Sequence, residues 1–221
     1  MYRFIYEQVF IYRHIRRRNM FWDRFAGVYD LFENAFNRKV YQGTGEAVAK
    51  YIGETDVVLE CACGTGAITK YLAPKCLKIL ATDFSAGMLK QAKKNCRNYD
   101  NLVIRRADLT KLKIADERFD KVVAGNVIHL LPDPKAGLRE LERVCKEGGK
   151  IILPTYINLS KPSNMLVTSV INKLGAGFQK QFDLESYKQF FDEIGYTDVY
   201  YEVVDGRMPC AIAVITKKKI K

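Results

Sequence analysis

Cysteine is present in this chain, but never in an arrangement that would give it a structural or metal-binding task. The six residues Cys61, Cys63, Cys76, Cys96, Cys145 and Cys210 include one close pair, a C-x-C, so neither a disulfide scaffold nor zinc-knuckle spacing is available. The simplest setting is a reducing cytoplasm, with no metal expected and with Cys61 and Cys63 as small buried residues beside a tight loop. Histidine is scarce: His14 and His129 are the only two, which narrows the choice of a side chain that titrates near neutral pH. No apolar run approaches the roughly 18 residues of a membrane span, and the arginine-interrupted start lacks the continuous apolar stretch of a signal peptide. Internal repeats are absent, as is low complexity beyond a lysine tail.

What the chain does have is apolar mass and positive charge. Its 221 residues are 48% hydrophobic, enough for one sizeable core, and it carries a net charge of +11. Part of that charge lies at the ends, in Arg13, Arg16, Arg17, Arg18 and Arg24 and in Lys217, Lys218, Lys219 and Lys221. Such a surface aids solubility and favours anionic partners, lipid or nucleic acid, without naming one.

The opening residues, about 3 to 18, place Ile5, Val9, Tyr12 and Ile15 at helical spacing and predict a basic amphipathic helix. A second helical pattern runs through Trp22, Phe25, Tyr29 and Phe32, and a third from Thr44 to Tyr51 is closed by Gly53. From there short β-rich runs alternate with amphipathic helices, the pattern of a mostly parallel sheet covered on both faces. Strands are expected at Val57 to Glu60, Lys78 to Asp83, Leu102 to Ala107, Phe119 to Ala124 and Lys150 to Pro154. Helices are expected at Ala67 to Leu72, Ala86 to Cys96 and Lys135 to Val144, with Gly148-Gly149 turning the chain into the fifth strand. After Thr155 the alternation stops, and Pro162 to Leu174 suggest an inserted helix over the binding crevice. A helix N-capped by Asp183 and ended by Gly195 follows, and two last runs, Asp198 to Val204 and Cys210 to Thr216, form a hairpin added to the sheet. The expected fold is therefore α/β, Rossmann-like and doubly wound, with seven mostly parallel strands, a C-terminal antiparallel hairpin and an N-terminal helical lid. Residues 1–43 form that lid, and residues 44–221 form the main domain, with an inserted cap at about 156–182.

The run Val57-Val58-Leu59-Glu60-Cys61-Ala62-Cys63-Gly64-Thr65-Gly66 reads as a strand entering a glycine-bent loop. Glycine there lets ligand atoms approach the backbone and tolerates unusual dihedrals. Asp83 stands about 20 residues on, at the end of the second strand, where a carboxylate can accept both hydroxyls of a ribose. This geometry serves NAD and S-adenosylmethionine alike. The third glycine of a pyrophosphate fingerprint would fall at Thr69, however, and S-adenosylmethionine, having no phosphate, does not need it. Asp108, in Arg106-Ala107-Asp108-Leu109, ends the third strand, where it could accept from an adenine amino group or simply cap the next segment. Glu60, Asp83 and Asp108 thus close three successive strands.

With these residues the chain resembles the class I S-adenosylmethionine-dependent methyltransferases, and particularly the small-molecule branch that includes the ubiquinone and menaquinone C-methyltransferases. The resemblance covers about Phe21 to Thr216 and rests on Val58 to Gly66, Ala81 to Leu89, Ala107-Asp108, Phe119-Asp120 through Pro134, and Gly148-Gly149-Lys150. It implies S-adenosyl-L-methionine as cofactor, with Gly64 and Gly66 beside its methionine part, Asp83 on the ribose and Asp108 on adenine. Met88 would line the adenine ring, and Glu60, Ala62, Phe84, Leu109 and Asn126 join the cofactor-binding set. Glu60 stands where aspartate is commoner, and Ala62 replaces the usual first glycine. Tyr29, within Phe25-Ala26-Gly27-Val28-Tyr29-Asp30, resembles the family's N-terminal Tyr-Asp element that folds over the cofactor.

A sulfonium methyl is already electrophilic, so orientation of the acceptor, worth about 7 to 11 kcal/mol, is the main requirement and a base is optional. Gly125-Asn126-Val127-Ile128-His129 is where the resemblance puts the acceptor: Asn126 could orient a polar group, and His129 is the candidate base, with Tyr29 the third catalytic candidate. The Asp/Asn-Pro-Pro-aromatic element that holds an extruded base is missing, which argues against nucleobase methylation. A small, fairly apolar or lipid-like acceptor under a hydrophobic lid is expected. The basic first helix would be a lid, a contact with anionic membrane or a homodimer contact. The competing readings are a non-catalytic S-adenosylmethionine-binding or RNA-binding protein and an NAD-dependent oxidoreductase.

Overall fold

The computed structural model describes residues 2–158, 169 and 181–218, with the backbone alone for 2–20 and 32. Its centre is a seven-stranded sheet in the order β3-β2-β1-β4-β5-β7-β6. The strands are β1 (Val57–Cys61), β2 (Lys78–Asp83), β3 (Leu102–Arg106), β4 (Phe119–Ala124), β5 (Cys145–Tyr156), β6 (Val199–Val204) and β7 (Cys210–Thr216). The first five pair in parallel, and β7 runs antiparallel between β5 and β6. The expected mostly parallel sheet ending in an antiparallel hairpin is the observed one.

Strands at the middle of such a sheet are covered on both faces, so they are apolar at consecutive positions rather than alternate ones. Val58 and Leu59, Val122 and Val123, and Ile151 and Ile152 are all fully buried. Leu59, Val122 and Ile151 meet α4 (Pro134–Val144) and α5 (Leu184–Glu193), whose Tyr187, Phe190 and Phe191 fill that layer. Val58, Val123 and Ile152 meet the end of α1 (Tyr2–Ala49) and α2 (Thr69–Leu72) through Val40, Val48 and Leu72. α3 (Ala86–Asn95) covers β2 and β3. Strand order reverses between β1 and β4, and a doubly wound sheet opens its crevice at the carboxyl ends of the strands there.

Several boundaries differ from the sequence reading. The first two helical patterns before β1 run on as one helix, and a kink at Asn37, where φ is −143° and ψ 31°, separates them from the third; α1 names the whole of Tyr2–Ala49. The buried Asn37 amide donates to the Met208 carbonyl at 2.9 Å and accepts from the Met208 N–H at 3.2 Å, so the bend is traded for a backbone-like pair with the β6–β7 loop. Gly53 is not the end of that helix, which stops at Ala49; its N–H donates instead to Asp56. β5 starts at Cys145 rather than Lys150, and Gly148, at φ +72°, lies in an irregularity where its register against β4 slips. The helix after β1 begins at Thr69 rather than Ala67. Residues 3–18 are helical in backbone, while the stripe of apolar and basic side chains expected on them lies outside the described residues, as does the helix expected at 162–174. Ile157 and Phe182, on either side of that interval, pair with each other. Among the described residues no helix is long and apolar enough to cross a membrane, and the six cysteines are free and buried.

Candidate functional site

At the β1–β4 switch lies a cavity of about 490 Å³, within the range of small-molecule sites. Its walls come from the loop after β1 (Ala62, Gly64), the β2–α3 junction (Thr82 to Ser85, Met88), the end of β3 (Ala107 to Thr110) and the segment after β4 (Gly125 to Val127, Leu130 to Asp133). Trp22 and Tyr29 of α1 complete it. A small annex of about 50 Å³ beside it is lined by Glu60, Thr65, Tyr41, Tyr156 and again Tyr29, Ala62, Gly64 and Asn126.

The loop after β1 owes its path to left-handed backbone at Ala62 (φ 53°), Gly64 (φ 55°) and Gly66 (φ 86°). The two glycines serve different ends. A Cβ at Gly64 would meet no protein atom within 4 Å, so the absent side chain leaves cavity space, whereas one at Gly66 would sit 2.6 Å from Cys96 Sγ against α3. Gly66 lines neither cavity nor annex: it is needed for close packing of loop on helix. Ala62 holds its left-handed conformation without glycine's freedom, at a cost of about 1–2 kcal/mol.

Asp83 accepts from Gly64 N at 2.9 Å with one carboxylate oxygen and from Ser85 N at 2.8 Å with the other. Burial raises its pKa, and these N–H donors oppose the rise. Each oxygen keeps a further lone pair, so a diol could be received without displacing either bond. Asp108 caps the short turn after β3 through one oxygen, which accepts from Thr110 N at 2.9 Å and Thr110 Oγ1 at 2.7 Å. The capping role and a cavity position therefore coexist. Phe84 is steadied by Arg106, whose guanidinium lies 5.1 Å from the ring centre and whose Nε donates to the Phe84 carbonyl.

Tyr29, Ala62, Gly64, Asp83, Phe84, Met88, Asp108, Leu109 and Asn126 are all brought to this cavity. Glu60 is displaced to the annex, 1% exposed, where its carboxylate accepts from Thr69 Oγ1 at 2.6 Å and burial pushes its pKa up to about 8. Thr69, which stands where a third glycine would have been, thus serves Glu60. Asn126, at φ 51°, accepts the Tyr156 N–H through Oδ1 at 2.9 Å and donates its own N–H to Pro154 O at 2.7 Å, which ties the cavity floor to β5. His129 is not among the lining residues. It is buried in the turn Ile128–Leu130, and burial pulls its pKa down to about 4, so it is a weak base walled off from the cavity.

Of the carboxylates of α1 the sequence reading singled out only Asp30, in the Tyr-Asp element, and it gave none of them a partner. Asp23 accepts from Ser85 Oγ and from Gly87 N at 3.0 Å, at the start of α3. Asp30 accepts from Tyr41 Oη at 2.7 Å, from Asn95 Nδ2 at 2.7 Å and from Thr65 Oγ1 in the loop after β1. Glu33 accepts from Tyr156 Oη at 2.9 Å, and Tyr29, four residues earlier on the same helix, is its electrostatic neighbour. Phe21, Trp22, Phe25, Tyr29 and Tyr41 form a chain of ring contacts with centroids 4.9 to 6.4 Å apart. Beyond that element, their only sequence trace was the spacing of acids among basic residues on a helix.

A family model described as a methyltransferase domain matches residues 59–153. A ubiquinone/menaquinone biosynthesis C-methyltransferase of Bdellovibrio bacteriovorus is 31% identical over 183 residues, 78% of this chain and 77% of that one. A demethylmenaquinone methyltransferase of Clavibacter sepedonicus is 36% identical over 110 residues; the match spans 50% of this chain and 44% of the relative, less than half its length. A crystal structure of an S-adenosylmethionine-dependent methyltransferase from Thermotoga maritima superposes with a TM-score of 0.70 at 20% identity, covering 91% of this chain and 100% of that one, which establishes the shared fold.

Proposed function

The chain belongs to the class I S-adenosylmethionine-dependent methyltransferases, in the branch of the ubiquinone/menaquinone C-methyltransferases, and we propose that it methylates a small, largely apolar acceptor of the quinol type in the cavity at the β1–β4 switch. The observation that carries this reading is the two-sided character of one cavity. Its β2–β3 side offers Asp83 and Asp108, the segment after β4 adds Val127, Leu130, Leu131 and Pro132, and Trp22 joins them from α1.

The residues present fit the cofactor. Asp83 has lone pairs left for a ribose diol, Asp108 for an amino group, Phe84, Met88 and Leu109 supply apolar flanks, and the open position at Gly64 leaves space for a methionine chain. When bound there, S-adenosylmethionine supplies a methyl group made electrophilic by its positive sulfur. The chain's own task is to hold an acceptor atom in line with that methyl and keep water away. Trp22 and Tyr29 serve this from α1, which Asp23 and Asp30 fasten to α3 and to the loop after β1. α1 covers the cavity through Trp22 and Tyr29, and the cap expected at about 156–182 lies largely outside the described residues. No metal enters this scheme.

Replacing Asp83 by Ala should weaken S-adenosylmethionine binding by about 1.5–3 kcal/mol, roughly 10- to 150-fold, because ribose hydroxyls lose charge-assisted acceptors. Isothermal calorimetry on the folded variant measures it, and unchanged affinity would sink the ribose assignment. Transfer of a labelled methyl group to a short-chain prenylated 1,4-naphthoquinol tests the acceptor class.

A further inference from the structure

Glu33 is a buried carboxylate that the scheme above leaves unused. It is 4% exposed, belongs to α1 and lies between two tyrosines that come from different elements. One is Tyr156 of β5, 2.9 Å away, which borders the annex. The other is Tyr29, one helical turn before it, which lines both the annex and the main cavity. Tyr29 therefore has a carboxylate as a neighbour and lines the space where an acceptor would lie. A purely structural carboxylate would cost less as an amide, since burying an ion is expensive unless it is fully paired.

We propose that Tyr29 and Glu33 form a proton relay that deprotonates a hydroxyl-bearing acceptor, Tyr29 touching the acceptor as a catalytic residue and Glu33 acting through it. This rests on the methyltransferase reading given above. The acceptor O–H bond breaks as its proton passes to Tyr29 Oη; the Tyr29 O–H bond breaks as that proton passes to Glu33; the acceptor oxygen keeps the electron pair. Tyr29 ends neutral, Glu33 ends as the carboxylic acid, and the acceptor anion attacks the methyl group through the ring carbon beside its oxygen, whose C–H proton then moves to that oxygen and restores the hydroxyl. Methyl transfer to a neutral acceptor releases one proton overall, and Glu33 holds it until the product leaves. Tyr29 remains a hydroxyl throughout, as befits a phenol whose pKa burial raises well above the ordinary value.

The surroundings suit the task. Desolvation raises the Glu33 pKa to about 7, with Asp30 adding to the rise while the Tyr156 and Tyr29 hydroxyls oppose it. The other titratable groups that face it are Tyr41 on α1 and Cys210 on β7. Among the described residues no cation is one of them. A general base works best with a pKa near the working pH, and His129, the histidine expected to do this, is walled off at about 4.

The test is single-turnover transfer from labelled S-adenosylmethionine to a short-chain prenylated 1,4-naphthoquinol between pH 5 and 9, with cofactor affinity measured in parallel by calorimetry. Wild-type rate should rise with pH through about 7. Glu33→Gln and Tyr29→Phe should each lose about 100-fold in rate and lose that rise while binding S-adenosylmethionine as before. Tyr156→Phe removes one donor from the carboxylate and should move the rise to higher pH with the plateau kept, a change that a packing defect would not produce. A Glu33→Gln enzyme with wild-type rate and pH profile overturns the relay and leaves the methyltransferase reading intact. Absence of label transfer by the wild type overturns both.

Discussion

Replacing Glu60 by Gln should change how stability depends on pH more than it changes stability itself. Glu60 closes β1, is 1% exposed, and is bonded to Thr69 Oγ1, with the Asp83 carboxylate adding repulsion to the cost of burial. In the unfolded chain it ionises near 4.5, and in the fold near 8. Between those values the native state binds one proton more than the unfolded state, so stability is full below about pH 4.5 and falls as pH rises, levelling above about 8. Each tenfold change in proton affinity is about 1.4 kcal/mol, so the loss amounts to roughly 3–5 kcal/mol, a large part of the about 5–15 kcal/mol that holds a domain. Glutamine has no charge to desolvate and still accepts from Thr69, but it adds a buried N–H that lacks a partner, worth about 1–2 kcal/mol. The stability curves should therefore cross: the variant slightly weaker at pH 5 and clearly stronger at pH 9. Guanidinium unfolding followed by far-ultraviolet circular dichroism at five pH values measures both curves. Parallel curves, or a wild type whose stability does not decline from pH 5 to 8, would refute a protonated buried Glu60.

Gly66→Ala should destabilise by about 1–3 kcal/mol, since the new Cβ would meet Cys96 Sγ at 2.6 Å on left-handed backbone; adding Cys96→Ala should restore only the part due to the clash, measured by thermal melts. Ala62→Gly should be neutral or stabilising by up to about 1 kcal/mol, because relief of left-handed strain slightly exceeds the entropy glycine loses on folding; a clear loss of stability would show that the methyl packs usefully. Asp30→Ala leaves Thr65 and Tyr41 hydroxyls without their acceptor and should cost about 2–4 kcal/mol. Its signature is faster hydrogen exchange in α1 than in β1 or β4, and uniform acceleration would argue against a fastening role.

The sheet was legible because its evidence is local. Consecutive apolar residues such as Val57 to Leu59 and Val122 to Ala124 can only be buried on both faces, and Asp83 and Asp108 mark where strands end. Strand bounds for β2, β4 and β7 agree with the sequence reading to the residue. Where it erred, a distant partner decided the outcome. The irregularity at Gly148 depends on register against β4, and the kink within α1 is held by Met208, 171 residues from Asn37. Gly64 and Gly66 look alike in sequence, and only the position of Cys96 on α3 separates a residue that makes room for a ligand from one that makes room for a helix.

The same reasoning explains why the candidate site was found half complete. Hydrophobic periodicity says which face of α1 is buried, but it is silent about which carboxylates on that face find donors. Asp23 is 62 residues from Ser85, Asp30 is 35 from Thr65, and Glu33 is 123 from Tyr156, and no local pattern encodes those pairings. By composition α1 is a basic helix whose few acids should face water. Instead, Asp23, Asp30 and Glu33 are spent on the loop after β1, on α3 and on β5, the elements that border the cavity. A helix that only shielded an apolar ligand would need its aromatic stripe and nothing more. One that is fastened at three carboxylates is set in position relative to the reacting groups, and its Tyr29 can then be counted among them.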